Sequence, residues 1–395
     1  MHPSTIGAVA AAPASARSAV QILIMAIAAF IIVTTEFLIV GLLPAMARDL
    51  NVSVAAAGQV VTLFAFTVML FGPFLTARLA GVERKKLFTL ILLVFAASNV
   101  LAALSTNIWV MALARFIPAL GLPVFWGTAS ETAGQLAGPG NSGKAVSRVY
   151  LGISAALVFG VPLGTVAADS LGWRGSFWAL AVISLIIAVL MQLCMPTLPS
   201  SPQKQQGEKQ TDILKQPRFL AHVLLSVLTF TAMFTAYTYL ADILQSLAGV
   251  PASQVGWWLM GFGAVGMIGN QWGGALVDRY PLGAMVLFLV ILGVGMTAAA
   301  PVASNHPWLI CALVLWGVAY TALFPICQVR VMQAGAKAQA LAASLNISAA
   351  NAGIGLGAIL GGLGIGQFGL GALGWIATTI AAMAIVVALL MMRKR

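Results

Sequence analysis

VQILIMAIAAFIIVTTEFLIVGLLP, residues 20–44, is apolar at nearly every position. At 1.5 Å of rise per helical residue, about 25 residues cross a hydrocarbon core ~30 Å thick, so the stretch reads as a membrane span. Glu36 stands inside it. An acid at mid-span costs roughly 2.5–3.5 kcal/mol on insertion scales, so it is expected to face a polar cavity or a partner and not lipid.

The remainder repeats the pattern. Of 395 residues, 61% are hydrophobic and only 7% charged, with a mean hydropathy of +1.01, which exceeds what a soluble domain buries. The apolar runs are about 20 residues long and not alternating ten-residue strands, so the spans are helices. A net charge of +11 would suit nucleic acid. The basic residues, however, are confined to short loops between spans, and no nucleic-acid partner is expected. Cys194, Cys311 and Cys327 fall in apolar segments without metal-ligand spacing, and His2, His222 and His306 are scattered, so no metal is expected. MHPSTIGAVAAAPASARS places its small residues before the apolar run, the reverse of a cleavable signal. Residues 1–19 are therefore expected to form a disordered cytoplasmic tail.

Apolar length and loop signals predict twelve spans, in an all-α membrane protein of two six-helix bundles. The first bundle covers 20–196, with spans near 20–44, 54–79, 87–104, 108–133, 145–169 and 176–196. The second covers 219–392, with spans near 219–246, 254–277, 283–303, 308–332, 341–368 and 374–392. Residues 393–395 are expected to be a short cytoplasmic tail. Between the bundles, PTLPSSPQKQQGEKQTDILKQP (196–217) is rich in Pro, Gln, Ser and Lys, and 197–218 reads as a cytoplasmic linker. Of the 20 basic residues, only Arg48 and Arg174 fall in loops on the side away from the termini, so both termini are expected in the cytoplasm. The halves also echo each other. LGISAA at 151–156 recurs as LNISAA at 345–350, and GPFLTAR at 72–78 is matched in place by GALVDRY at 274–280. A duplicated unit predicts alternating access about a midplane site between the halves.

Two six-span halves, the central linker and these loops resemble the major facilitator superfamily over nearly the whole chain. Within it, TTEFLIVGLLPAMARDL (34–50), ARFIPALG (114–121), GVPLGT (160–165), GWRGSF (172–177) and TAYTYL (235–240) are similar to the twelve-span drug:proton antiporters, in the sugar-, purine-nucleoside- or arabinose-efflux-like branch. The family's gating-loop signature matches at Gly274, Asp278 and Arg279. In the first half Gly72 remains, Thr76 replaces the aspartate, and Glu83, Arg84, Lys85 and Lys86 follow. The fifth-span antiporter motif matches at Gly152, Gly160, Pro162 and Gly164, and the resemblance implies export.

Glu36 and Arg115, in the first and fourth spans, lie at similar depths, and the resemblance puts those spans around one cavity. A Glu36–Arg115 pair or water-bridged relay is the expected proton-coupling unit, against the plainer reading of a static ion pair. Asp242 is a shallower second candidate, near enough to the surface to be simply hydrated. Thr35, Trp126, Tyr237, Tyr239, Asn346 and Asn351 are expected to line the substrate cavity, with aromatic belts and interhelical hydrogen bonds as the alternatives. Glu131 and Arg330 are expected at the cytoplasmic interface as gate or surface charges. GPGNSGKA (138–145) resembles a phosphate-binding loop, but Ala145 stands where Ser or Thr would hold Mg²⁺ and no strand precedes it. GIGQFG (364–369) ends a membrane helix and is no dinucleotide fingerprint; Gly353, Gly357 and Gly361 give that helix a small-residue packing face.

The expected function is proton-coupled export of a small, neutral or weakly polar organic molecule. No cofactor is expected beyond the proton gradient. The expected setting is the lipid bilayer of the inner (plasma) membrane, and a monomer is expected, since this architecture can work as one. A facilitator or proton symporter with the same fold is the alternative. A membrane-embedded enzyme is a remote one, since no nucleophile–base pair or ligand set shares a depth.

Overall fold

The computed structural model describes residues 16–79, 81–137, 142–198, 211–277, 279–336 and 339–393. In hydrocarbon every backbone N–H and C=O needs an internal partner, and the long elements are accordingly all helices. The first half contains α1 (Ala16–Asp49), α2 (Val54–Leu79), α3 (Arg84–Ala103), α4 (Ile108–Ala137), α5 (142–171) and α6 (173–194). Gly172 separates the last two with a φ of 70°, a conformation glycine adopts without strain. The Ser176 hydroxyl donates to the Gly164 carbonyl at 2.7 Å. Twelve residues of straight helix would hold them about 18 Å apart, so the chain doubles back here. The second half contains α7 (Pro217–Tyr237), α8 (Ala252–Val277), α9 (Pro281–Ala299), α10 (His306–Ala334), α11 (Gln339–Phe368) and α12 (Leu373–Arg393).

Among the described residues, ten segments are long and apolar enough to cross a membrane. One of them, Leu151–Cys194, contains both α5 and α6. The 26-residue α8 has the length but fewer apolar side chains, since Gln254, Asn270, Gln271 and several glycines dilute it. The architecture is the expected all-α membrane fold of two six-helix bundles.

Two boundaries differ from expectation, and one span is broken within its expected length. α1 begins at Ala16 and runs through Pro44 to Asp49, so residues 16–19 are helix and not tail. Proline is tolerated within a span because neighbouring helices re-satisfy the freed carbonyl. The expected 197–218 linker is partly structured: Thr211–Lys215 forms a 3₁₀ turn whose Ile213 packs with Phe219 and Val331, and Pro217 already opens α7. Residues 1–15, 199–210 and 394–395 lie outside the described residues. The seventh span runs Pro217–Leu247, close to the expected 219–246, but it is not one unbroken helix: α7 stops at Tyr237, and a single turn (Leu240–Asp242) and a wide π turn (Ile243–Leu247) follow. Tyr239 sits at the break with its hydroxyl donating to the Ala358 carbonyl at 2.8 Å, which fixes the bend against α11.

Within each half, helices close on one another at small residues. The expected α11 stripe does this against α7: a Cβ on Gly353, Gly357 or Gly361 would lie 2.6, 2.7 or 2.5 Å from the carbonyl oxygens of Val227, Thr231 and Thr235. On α5, Gly152, Gly160 and Gly164 face Ala26, Thr34 and Leu38 of α1 in the same manner.

Contact between the halves is concentrated on the side away from the termini, the far side. The Gln59 amide and Thr62 hydroxyl of α2 donate to the Ala358 and Gly355 carbonyls of α11 at 3.4 and 3.2 Å. On α8, Gly256 and Gly263 pass the Pro162 and Leu157 carbonyls of α5, and Phe37 meets Phe234 with ring centroids 6.0 Å apart. Arg174 pairs with Asp49 and donates to the Ser105 carbonyl at 2.8 Å, tying three far-side connections of the first half together. On the terminal side, α4, α10 and the first half of α5 pack within their own bundles. Among the described residues, the side chains that join the halves gather on the far side.

Candidate functional site

Because α1 extends to Asp49, Glu36 lies deeper than the sequence implied, about 13 residues or ~20 Å of helix from the far end. Its side chain is half-buried. Among the described residues the ion pairs are Arg174–Asp49 and Lys215–Asp212, and Glu36 enters neither.

Arg115 on α4 is 1% exposed and approaches Glu36 from within the first bundle. Its guanidinium donates to main-chain carbonyls, to Thr35 at 2.5 Å and Glu36 at 2.7 Å, and lies 4.5 Å above the Phe64 ring. The expected direct carboxylate–guanidinium pair is therefore not formed. The arginine holds the backbone of α1 and is within electrostatic reach of the carboxylate without bonding to it. Thr35 is 1% exposed and its hydroxyl accepts from the Asn99 amide of α3 at 3.2 Å. It faces the interior of the first bundle, about 100° around the helix from Glu36.

Opposite Glu36 the second half presents aromatic rings. Phe234 and Tyr237 of α7, Phe262 of α8, and Trp316, Tyr320 and Phe324 of α10 form one cluster, with Tyr237 and Tyr320 stacked at 4.5 Å. Phe37 of α1 joins it through Phe234. The Tyr320 hydroxyl is buried without a hydrogen-bond partner and lies within electrostatic reach of Glu36. Of this cluster sequence reasoning found only Tyr237. The signal was present, since Trp316, Tyr320 and Phe324 recur at intervals of four and Phe230, Phe234 and Tyr237 at four and three, one face of a helix each.

The other expected residues scatter. Tyr239 is fully buried in the far-side seal, against Gly58 and Gly362. Asn346 is 3% exposed and bridges the second bundle, accepting from Ser226 at 2.8 Å and donating to Gln328 at 2.7 Å. Asn351 donates to the Ile347 carbonyl of its own helix, and its side-chain oxygen is buried without a partner. Trp126 is half-buried, edge-on to Phe125 at 5.3 Å. Asp242 is half-buried beyond the α7 break and accepts from Ser246 at 2.7 Å. Of the gating loops, Gly72 packs on Pro123, and Arg84 opens α3 at 1% exposure behind its N-cap Glu83. Gly274 has open space around it and Arg279 is exposed, while Asp278 lies outside the described residues. Pro162, of the fifth-span motif, presents its carbonyl to Gly256 across the halves. Arg330, expected at the cytoplasmic interface as a gate or surface charge, is 1% exposed and so is no surface charge; the Glu131 side chain lies outside the described residues.

The model of the Major Facilitator Superfamily matches residues 25–337 and 243–395. The chain is 35% identical over 341 residues to the inner membrane transport protein YdhP of Escherichia coli K12, covering 86% of this chain and 87% of that protein. It is 31% identical over 359 residues to the uncharacterized MFS-type transporter YtbD of Bacillus subtilis, covering 90% and 91%. Among solved structures, a bacterial homolog of the human lysosomal transporter Spinster, inward-facing and occupied, superposes with a TM-score of 0.79 at 16% identity over 95% of this chain and 97% of that one. The nucleoside transporter NupG gives 0.73 at 18% identity over 95% and 98%. At those identities the structures speak for the fold. With the family model and both sequence relatives covering most of its length, the chain belongs to the major facilitator superfamily and is a multi-pass membrane transporter.

Proposed function

We propose that the chain is a proton-coupled antiporter that exports small organic molecules by alternating access. The observation that carries this reading is Glu36: a half-buried intramembrane carboxylate beside an arginine that is engaged elsewhere, at the level where far-side contact between the halves begins. An acid held in a direct bidentate pair would stay charged through the cycle. One left unengaged is able to exchange its proton as the surroundings change between facing states, and intramembrane acids in transporters serve that role. The aromatic cluster facing it favours a substrate with an apolar or ring-bearing face and few charges, such as a nucleoside, sugar or uncharged drug. On the positive-inside reading the terminal side is cytoplasmic, so export would carry cargo from that side to the far side.

The test uses full-length protein in proteoliposomes enclosing a pH-sensitive dye, with candidate nucleosides, sugars and neutral drugs added in turn without an imposed gradient. Proton movement opposite to one substrate, absent in Glu36→Gln, is the expected result. Substrate flux with no proton signal would make the protein a facilitator, and proton movement in the same direction as substrate would make it a symporter.

A further inference from the structure

The second bundle buries a cation that its own described side chains do not neutralise. Arg330 of α10 is 1% exposed. One terminal nitrogen donates to His222 Nδ1 at 2.8 Å and the other to the Ser226 hydroxyl at 2.8 Å. Arginine has no acceptor, so the His222 nitrogen facing it is unprotonated and that imidazole brings no second charge. The remaining guanidinium nitrogen, Nε, is buried without a partner. Cys327 is the ionisable neighbour on α10, fully buried, and no described carboxylate pairs with Arg330. A buried charge held only by neutral groups is costly, and a supplied counter-ion relieves that cost.

The surroundings are arranged to receive one. Arg330 and His222 line a cavity of about 360 Å³ on the terminal side of the second bundle, together with Arg218, Gln216 and Gln333. Two helices start at its wall, α7 at Pro217 and α9 at Pro281. Neither has a side-chain cap, so their first N–H groups and the positive ends of their dipoles are available to an anion. No acid is among the described lining residues. Arg218 is exposed at the rim while Arg330 forms the floor, so one cation is set to attract and the other to hold. The cavity lies where spans leave the membrane, at the depth of lipid headgroups. Basic pockets between helices at this level take anionic headgroups.

We propose that this cavity binds a phosphate monoanion, supplied by an anionic phospholipid of the leaflet on the terminal side, with Arg330 and Arg218 as its two cationic contacts. The site is separate from Glu36 and does not depend on the transport reading.

The test measures the apparent melting temperature of the full chain in neutral detergent by tryptophan fluorescence, with short-chain phosphatidylglycerol, short-chain phosphatidylcholine or inorganic phosphate added. Native mass spectrometry counts retained lipid. Phosphatidylglycerol should raise the melting temperature by about 2–4 °C and remain bound. Phosphatidylcholine, whose choline answers its own phosphate, should not. Arg218→Gln, a change at the exposed rim that leaves the packed floor intact, should abolish the shift. Gln333→Glu should do the same by supplying an internal anion, while raising the lipid-free melting temperature. An equal shift with inorganic phosphate would keep the anion site and assign a free phosphate as its ligand. No shift with either probe, or an undiminished shift in both variants, would overturn the proposal.

Discussion

Each half of the molecule buries an arginine to 1% exposure, and the two are held in opposite ways. Arg115 gives its terminal donors to two carbonyls of α1, next to Glu36 of that helix. Arg330 gives its donors to an imidazole and a hydroxyl, next to no described acid, on the wall of a cavity at the membrane surface. The first cation fixes the helix that carries Glu36 and leaves the carboxylate without a bond. The second has no described carboxylate beside it and is the one proposed to meet an outside anion. Residue type and burial are the same in the two cases; the partner decides what the charge does.

The largest effect expected from this contrast is at Arg115. Lysine has the charge but not the planar fork, so Arg115→Lys cannot hold both carbonyls. Losing one charge-assisted hydrogen bond costs about 1.5–3 kcal/mol, read as a lower melting temperature, and transport should fall with it because Glu36 rides on the freed segment. Arg330→Lys keeps a charge against one neutral partner and should cost less. The reverse order would break the comparison.

Next in size are two glycines that separate packing within a half from packing between halves. Gly353→Ala drives a Cβ to 2.6 Å from the Val227 carbonyl inside the second bundle and should lower stability by about 1–3 kcal/mol without changing the facing state. Gly263→Ala drives a Cβ to 2.8 Å from the Leu157 carbonyl across the halves. It should instead loosen far-side closure, read as faster far-side labelling of Thr62→Cys in a cysteine-free background. Equal labelling in the two variants would mean that the α5–α8 contact does not hold the closed face.

A smaller difference divides the tyrosines. Tyr239→Phe loses the bond to the Ala358 carbonyl, about 1 kcal/mol, and weakens the far-side seal. Tyr320→Phe removes a hydroxyl that has no partner, so folding should be unchanged or slightly favoured, while the apparent affinity for a hydrogen-bonding substrate falls. A melting temperature that drops more for Tyr320→Phe would place the unanswered hydroxyl in the wrong helix pair.

The fold was legible because insertion into a bilayer turns hydropathy into a nearly one-dimensional signal. The length of 20–44, the polar stretch at 196–217 and the LGISAA/LNISAA echo each carried one part of it. What stayed hidden depends on contacts remote in sequence. The α7 break rests on Tyr239 meeting a carbonyl 119 residues away, which no local pattern encodes. In the site, depth was readable and direction was not. Glu36 was singled out because an acid at that depth has few bland explanations, whereas Thr35 was misplaced by one residue's turn of helix, and the depth of Arg330 left gate and surface charge open while its burial could not be read. The aromatic face of α10 was readable at its four-residue spacing, but rings in a membrane span look like any other apolar filling until a second helix stacks on them.

The smallest expected effect tests whether the acid chemistry belongs to the first half alone. Asp242 sits on the turn after the α7 break, half-buried, and its carboxylate accepts from the Ser246 hydroxyl one turn on. Asparagine keeps an acceptor in the same place, and a hydrated surface interaction of this kind is worth under about 1 kcal/mol. Asp242→Asn should therefore leave both the transport rate and its pH profile within about twofold of the unaltered protein, where Glu36→Gln removes the proton signal. If Asp242→Asn also removed it, proton handling would be shared between the halves. The contrast between a proton-handling first half and a cargo-facing second half would then be wrong, even with every contact around Arg115 in place.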